Sequence, residues 1–166
     1  FYKAKDAIRY IRSPFTFEIE TKGETNDVRT EFEKRAALLN KRFNEKHSEL
    51  SEFRAMKYQA MAVFGSDTAK IFDDFQTIPN QIAAAMKLLV QHYWPQQGIH
   101  LQHDPDFQQR FLDGLYRFES IIWDGYSKDD EIQVQVNEIE KRLEAIVYGK
   151  KTLSKTETCF FSRFFN

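Results

Sequence analysis

Three of the four histidines, His92, His100 and His103, stand close together in the sequence, next to Asp104 and Asp106. Imidazole and carboxylate are the donors of a mixed-ligand metal site or an acid–base pair. The spacing does not favour either. His100 and His103 fall in a stretch read as a loop, no His-Glu-x-x-His frame occurs, and Asp104 already has a role as a helix cap before Pro105. The favoured reading is exposed loop histidines. A metal-binding or enzymatic domain using His92, His100 and His103 is the alternative.

Asp27, Glu31, Glu45, Glu49 and Glu52 lie along one long helical stretch. Carboxylates on bundle helices can hold a di-metal centre when Glu-x-x-His recurs on two helices. Here no Glu has His three residues later, so a solvated helix face is expected. Dinucleotide, P-loop and nucleophile-elbow motifs are all missing from the sequence. The single cysteine, Cys159, cannot form an internal disulfide or a multi-cysteine zinc site, and it sits in the tail. No residue is assigned to catalysis, a metal or a cofactor, and the sequence leans against an enzyme while leaving that question open.

A further polar group lies beside apolar stripes. Arg54 and Lys57 sit one turn apart in Glu52–Tyr58, and Glu119 and Asp124 flank Trp123. A half-buried ion network between the two helices is expected, fixing their register more than binding a ligand.

The elements that must position these residues are helical. The 166 residues are 42% hydrophobic and 30% charged, with 6 Gly, 4 Pro and sixteen Phe. This is a globular balance, with too few turn formers for a sandwich or barrel. The net charge of −1 provides no global field for nucleic acid, which is excluded as a partner. No apolar run is long enough to cross a membrane.

Residues 1–12 place Ala4, Ala7, Ile8 and Ile11 at helical spacing, with Lys3, Lys5, Arg9 and Arg12 as a basic face, and Ser13-Pro14 ends the helix. Phe15–Glu20 alternates loosely and reads as extended, and Thr21–Asn26 as a loop. Asp27–Phe64, free of Gly and Pro, predicts one long helix or two with a break near His47-Ser48. Lys46 and Lys57 interrupt its stripe. Gly65 stops it and Ser66 is the expected cap of the next helix, Asp67–Tyr93, which Pro79 should kink or split. Asp104-Pro105 starts another helix, with Phe107, Phe111, Leu115, Phe118 and Ile122 on one face; Asp124-Gly125 closes it. A last helix, Asp129–Tyr148, ends at Gly149. The fold class expected is all-α: a four- to five-helix, mostly antiparallel bundle with long amphipathic helices. Residues 1–148 form one domain (1–12 a short basic helix of juxtamembrane type, 27–148 the bundle), and 149–166 a Phe-rich tail.

Ala4–Pro14, Glu52–Gly65 and Tyr116–Trp123 together resemble uncharacterised bacterial proteins in which one N-terminal membrane span precedes a helical domain. The resemblance covers most of residues 1–148. It implies an anchor just before Phe1 and no established activity. The expected function is a helical binding or regulatory module, membrane-tethered, with its domain on the cytoplasmic side. It would meet a protein partner or a second copy through helix faces. The basic helix 1–12 could also meet an anionic membrane surface.

Overall fold

The computed structural model describes residues 1–14, 31–96 and 105–149. These residues are helical, with no strand among them. The helices are α1 (Tyr2–Arg12), α2 (Glu31–Glu45), α3 (His47–Phe64), α4 (Ala69–Leu88), α5 (Pro105–Ile122) and α6 (Glu131–Gly149). The all-α bundle read from the sequence is the observed architecture. The expected extended segment Phe15–Glu20, the loop Thr21–Asn26, all but Gln96 of the expected loop Gln96–His103, Asp27, Asp104, Cys159 and the tail from Lys150 lie outside the described residues.

The core is set by α4. Ile71, Phe75, Ile78, Ile82, Ala85 and Leu89 are buried at alternating four- and three-residue steps, the spacing of a narrow seam between helices at small angles. Pro79 is also buried, and the helix continues through it unsplit to Leu88. A π turn, Leu89–Tyr93, and a 3₁₀ turn, Trp94–Gln96, then end it.

Three columns pack around α4. In the first, α2 and α3 form a nearly continuous rod antiparallel to α4. Phe32 stacks on Trp94 at one end, and Lys57 bonds Asp73 at the other (2.6 Å). The rod breaks at Lys46 (φ −102°, ψ 6°), one residue before the expected place. Its backbone bonds carry across the break, Lys46 N–H to Arg42 C=O and Leu50 N–H to Lys46 C=O. In the second column, α5 lies against the far end of α4 and α6 against its beginning. Trp94 bonds Glu119, Gln135 bonds Gln81, and Arg142 pairs with Asp74 (2.6 Å). The third column is α1, which runs alongside α4 between the other two. Phe1 meets Phe53 and Phe75, and Lys5 pairs with Glu140.

Two boundary expectations change. Ser66 does not cap α4: Ser66–Thr68 is a 3₁₀ turn, and the Thr68 hydroxyl donates back to the Gly65 carbonyl (2.7 Å). Gly65, at φ 99°, holds a conformation that side chains resist. The last helix is capped by Asp130, whose Oδ1 accepts the Gln133 N–H (2.9 Å), so it starts after the expected Asp129.

Candidate functional site

The buried polar chemistry gathers where α1, α5 and α6 meet. Arg12 is buried among apolar residues at the end of α1. Its guanidinium donates to the carbonyls of Ser120 (2.8 Å), Ile121 (2.9 Å) and Trp123 (3.1 Å), and to Asp130 Oδ2 (2.8 Å). The last carbonyls of a helix have no intrahelical donor; here one arginine supplies them from another helix. Asp130 is shared, since its other oxygen caps α6. In return, the Asp124 N–H donates to the Arg12 carbonyl (2.9 Å). Arg42, fully buried, does the same for the end of α1: it donates to the carbonyls of Ile11 and Ser13 and lies over the Tyr10 ring. Both arginines hold helix ends in place.

Glu119 is 7% exposed. Its two oxygens accept from Trp94 Nε1 (3.1 Å) and the Tyr126 hydroxyl (2.6 Å). Partial burial pushes the Tyr126 phenol well above its usual range, and the bond to Glu119 adds to the effect. Tyr126 therefore stays a neutral donor.

The expected ion network between Arg54, Lys57, Glu119 and Asp124 does not form. Arg54 donates to Gln76 (2.8 Å) and Lys57 pairs with Asp73, both at the exposed α3–α4 edge. Two columns divide these residues: α3 packs on the beginning of α4 and Glu119 on its far end. Lys46 and Lys57, which interrupt the stripe, reach carboxylates at its rim. Lys46 bonds Glu49 (2.8 Å) over the Tyr10 ring. Glu49 is held down to about 2 by its bond from Lys46, by backbone N–H and by Ser48.

The histidines do not converge. His92 is exposed on the π turn, and His100 and His103 lie outside the described residues. Among the described residues no three His, Cys, Asp or Glu side chains form a metal-binding group. Glu45, Glu49 and Glu52 stay on the outer surface or its edge.

Two surfaces were not legible as such in the sequence. The first is a groove of about 620 Å³ between the end of α4 and α5, with Tyr93, Phe111 and Phe118 as its floor. The stripe Phe107–Ile122 reads as wholly core-facing, yet only Leu115 and Ile122 of its apolar members are buried. Phe107 is exposed, and Phe111 and Phe118 open onto the groove. Tyr93 is clamped against Gly114, where a Cβ would come within 2.8 Å of its Cε1. The second surface is the outer side of α3. Between Phe53 and Phe64 only Arg54, Lys57 and Gln59 are polar, yet Phe53 is the one buried residue of the helix. Met56 is 42%, Tyr58 75% and Val63 55% exposed. A helix that is apolar all round is normally covered all round.

The chain matches no protein-family profile, no curated protein and no solved structure. No helix among the described residues is long and apolar enough to cross a membrane.

Proposed function

We propose that this chain is a binding module that meets a protein partner through the outer face of the second half of α3. One observation supports this reading: a helix half composed almost entirely of apolar residues packs on one side only. Exposed Tyr58, with small Ala55 and Ala62 within a turn of it on the same face, makes a contact surface with an aromatic anchor, bordered by exposed Arg54. The buried arginine junctions hold the bundle rigid behind it. The module works beside a membrane, on the cytoplasmic side, held by a segment preceding Phe1. The resemblance of Ala4–Pro14, Glu52–Gly65 and Tyr116–Trp123 to anchored helical proteins supports that placement. The apolar side of α1 (Ala4, Ala7, Ile8, Ile11) is buried in the bundle, which leaves Lys3 and Arg9 facing outward.

The test is a photo-crosslinking residue at position 58 in the full-length protein in cells, with position 109 on α5 as the control. The expected result is a discrete adduct at 58 that Ala62→Glu, one turn away on the same face, abolishes and that is missing at 109. An adduct of twice the chain mass identifies the partner as a second copy. Equal, diffuse labelling at both positions overturns the reading.

A further inference from the structure

The groove between α4 and α5 has a direction. Tyr93 packs on Gly114 and meets the rings of Phe111 and Phe118, so the π turn lies across the middle of α5. Along α5 the lining runs from Phe118 through Phe111 to Arg110 and Phe107, which sets Arg110 roughly 12 Å from Phe118 along the helix axis. The lining is apolar at Phe118 and Phe111 and carries a cation, Arg110, toward Phe107. Arg110 is exposed and spends its Nε–H on the Asp106 carbonyl (3.2 Å). The terminal nitrogens of its guanidinium have no partner among the described residues. His92 adds a second basic group along the wall. Asp106 and Asp113 are the acidic residues nearby. Asp113 accepts from Gln109 Nε2 (2.8 Å), one turn back on α5.

Three features set this groove apart from an accidental furrow. Its volume falls in the range of small-molecule sites. Its floor is fixed: Tyr93 is in ring contact with both Phe111 and Phe118 (5.2 and 5.3 Å) and is clamped on Gly114. One wall is a π turn, an irregularity that recurs at functional sites.

We infer that the groove binds a single-chain anionic amphiphile, a fatty-acid-type carboxylate. Its chain would lie over Tyr93, Phe111 and Phe118 and its head group at Arg110. The graded polarity selects this ligand. A wholly apolar molecule would leave the cationic end unused, and a compact anion would leave the aromatic floor exposed to water. The groove lies on α4 and α5, so the inference stands apart from the α3 reading.

The probe is decanoate below its micelle concentration, titrated by calorimetry into the full chain, with decan-1-ol as the uncharged counterpart. Saturable one-site binding is expected, with decan-1-ol weaker. Arg110→Gln should weaken decanoate roughly fivefold and leave decan-1-ol unchanged, the scale of an exposed ion pair. Phe107→Ala should weaken both. These two side chains are exposed, so the variants keep the fold. Lys141→Gln, on the exposed side of α6, should change neither. No saturable binding, equal affinity for the alcohol and the acid, or an Arg110→Gln variant that binds decanoate like the wild type would each overturn the inference.

Discussion

The junction around Arg12 and the outer side of α3 use charge and apolar surface in opposite ways. At the junction a charged side chain is buried, and each partner it meets is either a helix-end carbonyl or the carboxylate that caps the next helix. On α3 the charged residues stay at the rim, paired across an exposed edge, while apolar side chains point outward. The first arrangement closes the molecule on itself. The second leaves surface over. Burial of a polar group is tolerated where its bonds are completed. Exposure of an apolar face is tolerated only at a cost in solubility, which is why such faces so often meet something else.

The strongest way to break this comparison is at Arg12. Arg12→Ala would leave the carbonyls of Ser120, Ile121 and Trp123 and one oxygen of Asp130 without their arginine donor at a junction that is buried or half-buried throughout. The expected loss is about 3–5 kcal/mol in urea unfolding. A loss below about 1 kcal/mol would mean that water or another side chain takes over the site. Gly114→Ala comes next. The added methyl collides with Tyr93, at about 1–3 kcal/mol. Tyr93→Phe in the same chain should recover part of that loss, because the hydroxyl is the atom displaced first. Tyr58→Glu and Met56→Glu, on the open side of α3, should shift stability by no more than about 0.5 kcal/mol. They should also raise solubility, as read by light scattering against concentration. A large loss of stability there would show that this side is packed after all.

The smallest effect sharpens the comparison at the surface. The Glu49 carboxyl should titrate at about 2 by carbon-detected NMR. Its folded value lies below the ordinary carboxylate value. Its contribution to stability is therefore complete above that ordinary value and fades as the pH falls through about 2. Lys46→Ala should return the titration toward the ordinary range, and added salt should weaken the effect.

The sequence made the helices legible because their stops are local. Ser13-Pro14, Gly65, Pro105 and Gly125 act on the backbone beside them, and each marks an end to within about three residues. Pro79 was legible only as a risk: packing on both sides of α4 holds the helix through it, and no local rule contains that packing. The buried arginines were hidden by their type. Arg12 follows Ile8 by four residues and Ile11 by one, on the buried stripe, and Arg42 follows Leu38 and Leu39 in the same way. Their position on the apolar face was the available signal, but residue type alone read as solvated charge. The Arg54–Glu119 network failed for a related reason. Both residues border apolar stripes, but which stripes face each other is set by the order of columns around α4. The π turn has no sequence signature of its own, so the groove beside it was not legible.

Arg12 and Asp130 are separated by most of the chain, and the bond between them has a consequence for synthesis. Helix α1 is made before the other described helices, but its guanidinium finds its carbonyl partners only once Ser120–Trp123 have been made, and Asp124 and Asp130 complete the junction. Until then the apolar side of α1 has only part of its final surroundings. A ribosome stalled before residue 120 should therefore carry a nascent chain whose helix α1 is open to proteases, and release of residues 120–130 should close it.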